Sequence, residues 1–198
     1  MIIGEGSGHS METGSARGAP PHRDADVQAL DTTTIFREHA PFVWRVVRRL
    51  GVSESDTADV CQEVFVVIHR RLPEFEGRSS VRTWVYAICV RTAADYRRRV
   101  SRRRETVTDD VPEAATEARQ DVALSMREAR ARLDRVLDEL DDDKRAVFVL
   151  YEIEELTMAD VASAVGCPLQ TAYSRLHAAR AEVQASIQRM RTRDEVAQ

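Results

Sequence analysis

Aromatic side chains are scarce. Phe, Trp and Tyr make up 6% of the 198 residues, so any core must be mostly aliphatic. Cysteine is scarcer still: Cys61, Cys89 and Cys167 lie far apart, each in an apolar helical stretch. They show no CxxC or His/Cys spacing, which excludes a zinc cluster and a disulfide framework. An odd, unpaired set fits a reducing compartment. Such thiols are expected to be buried, where free cysteine behaves as a small hydrophobe. No apolar run approaches the roughly 18 residues needed to span a bilayer, so no membrane insertion is expected. The N-terminus lacks the basic region and apolar core of a signal peptide, and the expected location is the cytoplasm. The chain also lacks a visible nucleophile–base pair, metal cluster or phosphate-cradling glycine loop. His9, His22, His39, His69 and His177 are scattered without a common partner. Neither an enzyme nor a cofactor is expected.

What remains is a globular composition with a very polar surface: 43% hydrophobic and 31% charged residues. That is too apolar for wholesale disorder, and the length allows one or two domains. The formal net charge of −4 argues by itself against a nucleic-acid partner, but it hides segregation. Residues 97–104 read Arg97-Arg98-Arg99-Val100-Ser101-Arg102-Arg103-Arg104. Residues 105–121 then carry Glu105, Asp109, Asp110, Glu113, Glu117 and Asp121 against Arg119. Local fields of this kind matter more to a partner than the average does.

Residues 1–30 are rich in Gly, Ser, Pro and mixed charge, without periodicity, and read as a disordered extension. A first helix is expected from Thr33 to Leu50, with Phe36, Ala40, Val43, Val47 and Leu50 on its apolar face. Gly51 suits its C-terminal turn, and Pro41 is expected to kink it or delay its start. A second helix follows Ser55 or Asp56 and stops before Pro73, with Val60, Val64, Val67, Ile68 and Leu72 inward. After the loop Phe75–Ser80, Ser79 or Ser80 caps a third helix that runs through Arg104. Residues 105–123 form an acidic linker. A fourth helix covers Leu124–Leu140, and a fifth starts behind Asp141, Asp142 and Asp143, acids that suit a helix N-terminus. Thr157 caps a short helix, Met158–Val165. Gly166 turns the chain, and Pro168 precedes a last helix, Leu169 to about Arg189. No strand pattern appears. The expected fold is all-α: two small helical domains, 31–104 and 124–190, joined by a flexible linker, with a frayed tail at 191–198.

Three constellations carry chemistry. The text TMADVASAVGCPLQTAYSRLHAAR at 157–180 has the spacing of a helix-turn-helix. Its second helix keeps Leu169, Ala172 and Leu176 inward and turns Gln170, Thr171, Tyr173, Ser174, Arg175 and His177 outward. Such groups reach base edges in a major groove, and Arg175 and Arg180 suit guanine or phosphate; an ordinary helical hairpin is the plainer reading. The third helix carries Arg91, Arg97 and Arg98 within its arginine-rich end. That end suits phosphates or merely complements a helix dipole. Phe75, Trp84 and Tyr86 lie near it, as unstacked bases require, although Trp84 between Val81, Val85 and Ile88 reads as core. On the second helix Asp59, Gln62 and Glu63 fall at i, i+3 and i+4 and share one exposed face. That face is a docking patch for a basic partner or a plain wet surface.

In this order these pieces resemble the sigma-70 family, specifically its extracytoplasmic-function group. Residues 59–99, DVCQEVFVVIHRRLPEFEGRSSVRTWVYAICVRTAADYRRR, resemble sigma domain two; 125–190 resemble sigma domain four. The resemblance implies that Asp59, Gln62 and Glu63 contact the coiled-coil clamp of the polymerase beta-prime subunit. It implies that the loop Phe75, Arg78, Ser79 and Ser80 captures a flipped base of the minus-ten element. The helix behind that loop, with Arg82, Arg91, Arg97 and Arg98, would hold duplex and phosphate. Leu156 to Arg180 would read the minus-thirty-five element. Implied partners are core RNA polymerase through its beta-prime and beta subunits, promoter DNA and an anti-sigma factor. Free modules would pack together or be clamped by that factor. The family often has basic residues where Ala87, Tyr173 and Ala178 stand, and Arg-Asn where Val90-Arg91 stand, so promoter sequence does not follow. The alternative is a polymerase-independent helix-turn-helix regulator, which would bind duplex tightly by itself.

Overall fold

The computed structural model describes residues 31–106 and 121–196. The expected disorder of 1–30 and most of the expected linker lie outside the described residues. Among the described residues there is no strand. Helix α1 (Thr32–Arg49) begins at Asp31, whose carboxylate accepts the Thr34 backbone N–H at 2.6 Å. That bond holds the carboxyl below its ordinary range. Pro41 lies inside the helix and does not delay its start. The buried face is Ile35, Phe42, Val43, Val46 and Val47. Phe36, expected inward, is 53% exposed. Ile35 takes the core position instead, because it is the residue seven and eight places before Phe42 and Val43. Phe36 packs edge-on against Phe65, ring centroids 4.7 Å apart.

Helix α2 (Thr57–Arg71) buries Val60, Val64 and Ile68 against α1. A 3-10 turn (Leu72–Glu74) ends it and leads to the loop. Ser80 then accepts the Thr83 N–H at 3.0 Å, which opens helix α3 (Val81–Thr106). Its inward side chains include Val85, Tyr86, Ile88, Cys89, Ala93 and Tyr96. Of the three thiols only Cys89 is fully buried; Cys61 and Cys167 are half-buried at the core's edge, short of the full burial expected.

The second module opens with α4 (Asp121–Asp138), which starts three residues before the expected Leu124. Asp141 accepts the Lys144 N–H at 2.8 Å and caps α5 (Asp142–Phe148). The expected fifth helix then widens into a π-helical turn, Val149–Ile153, in which the Glu154 N–H reaches the Val149 carbonyl at 3.0 Å. Thr157 caps α6 (Met158–Val165), and Gly166 adopts the left-handed φ of +69° that suits glycine. Helix α7 (Leu169–Val196) runs past the expected Arg189 and into the segment expected to fray. Ala172, Leu176 and Ala179 are buried, but Leu169, expected inward, is 48% exposed at the first position of the helix. The stripe begins one turn later, where α6 packs on α7.

The two modules share one core. Helix α3 packs against α6, and the buried side chains of both modules form a single cluster. Arg145 of α5 is 2% exposed and lies over the backbone of Gly51, at the end of α1. It pairs with Asp138 at 2.8 Å. Burial lowers its pKa, and the neighbouring Arg97 adds to this. A cleft of about 640 Å³ opens beside it, lined by Arg48, Arg97, Tyr96, Asp134 and Arg135 among others.

Candidate polymerase and promoter surfaces

Asp59, Gln62 and Glu63 are all exposed on the side of α2 opposite Val60, Val64 and Ile68. The helical period alone creates this division, since residues i, i+3 and i+4 share a face. Glu63 forms an ion pair with Arg99 of α3 at 3.0 Å, both side chains about half exposed. A pair this wet is worth at most about 1 kcal/mol and yields readily to a partner. The face is therefore acidic, preorganised and open.

The loop after α2 projects Phe75 onto Trp84, ring centroids 5.0 Å apart. Arg78 is exposed and pairs with Glu76 at 3.1 Å. Ser79 is half-buried and Ser80 is tied into the α3 cap, its Oγ 2.8 Å from Thr83 Oγ1. Trp84 is partly buried, so the aromatic surface offered here is the Phe75–Trp84 pair. Tyr86, grouped with these aromatics in the sequence, belongs elsewhere. It is fully buried, and its hydroxyl donates to Glu154 of the second module at 2.8 Å. Burial pushes its phenol up to about 12, and the adjoining Glu154 carboxylate adds to that. Arg82 donates to the same hydroxyl at 3.1 Å. On α3, Arg91 is exposed, Arg98 pairs with Asp95, and Arg97 pairs with Asp142 of α5 at 2.5 Å. Arg97 thus faces the second module rather than open solvent.

The outer face of α7 presents Gln170, Tyr173, Ser174 and His177 to solvent, with Thr171 half-buried. Tyr173 is 49% exposed. Arg175 pairs with Asp143 and Arg180 with Glu152 at 2.6 Å; Arg180 also lies over the Tyr151 ring. Both guanidiniums lean back towards α5 and its π turn. The side chains left without an acid at the front of the helix are uncharged donors and acceptors, which suit base edges.

Sequence reasoning missed Glu154, Arg145, Arg49 and Asp160 as interaction residues. Each acts across the module boundary, and no local pattern signals it. The Sigma-70 region 2 family model matches residues 35–103. The Sigma-70 region 4 model matches 130–183. The extracytoplasmic-function RNA polymerase sigma-E factor of Haemophilus influenzae is 31% identical over 149 residues, 69% of this chain and 77% of that protein. The chain belongs to the sigma-70 family, in its extracytoplasmic-function group. The sigma-E factor of Escherichia coli strain K12 is 30% identical over 69% of this chain and 76% of its own. Two solved sigma factors share the fold. The structure described as RpoE with the anti-sigma factor NepR from Bartonella quintana matches at TM-score 0.64, 18% identity, 79% of this chain and 96% of the other. CnrH, in complex with the cytosolic domain of CnrY, matches at TM-score 0.61, 23% identity, 83% and 94%. As a sigma factor the chain directs core RNA polymerase to promoters and begins transcription. Among the described residues no helix is long and apolar enough to cross a membrane.

Proposed function

We propose a division of labour in which Asp59, Gln62 and Glu63 hold this sigma factor on the beta-prime clamp of core polymerase, while the two modules read separate promoter elements. The supporting observation is the open acidic–amide face of α2, which stands clear of that helix's buried side. Phe75, Arg78, Ser79 and Ser80 take a flipped base of the minus-ten element. Flipping costs a few kcal/mol, which stacking on the Phe75–Trp84 pair offsets in part. Arg82, Arg91, Arg97 and Arg98 hold the adjoining duplex by its phosphates. The front of α7 reads the minus-thirty-five element through Gln170, Thr171, Tyr173, Ser174 and His177, with Arg175 and Arg180 on flanking phosphates. The beta subunit carries the second module. Two weak sites on one tether gain affinity through effective concentration. The protein works in the cytoplasm, catalyses nothing itself and is restrained by an anti-sigma factor.

Run-off transcription with purified core polymerase tests this reading. The wild type initiates from a cognate promoter, and Glu63→Lys, which loses an exposed pair only, keeps its fold but neither co-migrates with core nor initiates. Unchanged docking by Glu63→Lys removes the patch assignment. Tight, sequence-specific duplex binding by the free chain would favour a polymerase-independent regulator.

A further inference from the structure

The cleft beside Arg145 gathers positive charge. Arg48 and Arg49 of α1, Arg97 of α3, Arg135 of α4 and Arg145 of α5 all line it, against two acids, Asp134 and Asp138. Asp134 meets Arg48 at 3.7 Å, and Asp138 meets one nitrogen of Arg145, Nη2, at 2.8 Å. Glu154 and Asp142 reach Arg49 and Arg97 from outside the lining, each at 2.5 Å. Arg135 donates to the Ala131 carbonyl of its own helix at 3.3 Å and is exposed. Arg145 is the least compensated of the five. A buried charge is costly unless closely paired, yet this guanidinium is 2% exposed and its carboxylate partner is 67% exposed. Its buried Nε has no hydrogen-bond partner among the described residues. Its neighbour is a like charge: a Cβ on Gly51 would stand 3.1 Å from Arg97 Cδ and 3.1 Å from Arg145 Cζ, so both side chains cross the same bare backbone. Such crowding costs stability unless an anion shares it.

We infer that this cleft is a binding site for a small phosphate-rich anion, an oligophosphate or the oligophosphate tail of a nucleotide, held by Arg48, Arg97, Arg135 and Arg145. Guanidinium forks match the oxygens of phosphate groups two at a time, and several forks converging on one space suit several linked phosphates better than a single carboxylate. The volume of about 640 Å³ falls in the range of about 300–1,000 Å³ that small ligands occupy. The aromatic ring of the lining, Tyr96, is 9% exposed, and its hydroxyl is committed to Asp56 at 2.7 Å. The phosphates therefore carry the recognition.

Isothermal titration calorimetry on the full chain without polymerase tests the site, with sodium triphosphate and with ATP in magnesium-free buffer at roughly 0.15 M salt. A single saturable site is expected, together with a melting temperature raised by roughly 5 °C or more at a hundredfold excess over Kd. Arg135→Glu changes an exposed side chain, leaves the core untouched and is expected to weaken binding about tenfold or more. Arg145→Met keeps the apolar stem, loses the charge and is expected to weaken it at least as much; should it fail to fold, Arg135→Glu decides alone. Arg37→Glu makes the same change of charge on an exposed part of α1 outside the cleft and is expected to leave binding as it is. Tighter binding of ATP than of triphosphate assigns a nucleotide as the occupant, and equal or weaker binding assigns the bare oligophosphate. Absence of saturation by either anion overturns the site. So do equal effects of Arg37→Glu and Arg135→Glu, whether both weaken binding or neither does, since phosphate would then be drawn to charged surface in general.

Discussion

Gly51→Ala and Gly166→Ala make a matched pair that isolates one buried arginine. Both glycines have left-handed backbones, with φ of +91° and +69°. An alanine at either position costs about 1–2 kcal/mol in backbone strain. Their surroundings differ. A Cβ on Gly166 meets nothing within 4 Å, whereas a Cβ on Gly51 would stand 2.0 Å from Arg145 Nη1 and 3.1 Å from its Cζ. The guanidinium must move, and at 2% exposure it has little room. Leaving Asp138 behind costs about 1–2 kcal/mol more, the lower part of the range for a charged hydrogen bond, because Asp138 is itself largely in water. In a chain of this size each kcal/mol shifts the melting temperature by about 2–4 °C. Thermal unfolding followed by circular dichroism should therefore show about 3–6 °C lost for Gly166→Ala and roughly twice that for Gly51→Ala. Adding Arg145→Met to Gly51→Ala clears the space, so the double variant should lose less than the sum of its parts. Equal losses at the two glycines would refute the argument that Arg145 is locked over Gly51.

Three further outcomes are expected. Gln170→Ala should cost about 1–3 kcal/mol on a cognate promoter and much less on a scrambled one, whereas Arg175→Ala should weaken both alike; holoenzyme binding to the two duplexes measures it. The hydrogen bond from Tyr96 holds Asp56 below its ordinary 3.8, at an O···O distance of 2.7 Å. A carboxyl whose folded pKa is depressed adds stability that is complete well above 3.8 and is lost as pH falls through the folded value. Urea midpoints should drop between pH 5 and pH 3, and drop less in Asp56→Asn; parallel curves would discount the bond. Burial pushes the Cys61 thiol up to about 11 and the Cys89 thiol higher still. Native protein at pH 8 should therefore be labelled slowly at Cys61 and at Cys89 only on unfolding, as peptide mass mapping would show.

What the sequence made legible is what is local. Ser80, Asp141 and Thr157 each hydrogen-bond a backbone N–H three residues on, so side chain and helix start lie within one turn of text. Gly166 and the alternation of Val161, Ala162, Ala172 and Leu176 are read the same way. The exposed face of Asp59, Gln62 and Glu63 followed from helical period alone. Misplacements had two causes. Phe36 and Leu169 looked inward because large apolar residues near a stripe usually are, yet Phe36 sits one residue off the buried stripe that Ile35 begins, and Leu169 is the first residue of its helix, a turn ahead of the buried Ala172. Tyr86, Arg49, Arg97 and Glu154 depend on partners 45 to 105 residues away. No periodicity encodes the meeting of two modules.

The π turn at Val149–Ile153 has a consequence for how this junction can arise and be lost. An α-helix advances about 100° per residue, so one residue more or fewer swings every later side chain by that angle. The widened turn behaves as a single inserted residue that aims Glu154 at Arg49 while leaving the cap at Thr157 and the helix pair behind it intact. Removing one residue from this stretch would let a regular helix form and carry the carboxylate round to solvent. A one-codon deletion is thus enough to unpick the seam between the halves, and a one-codon insertion enough to sew it.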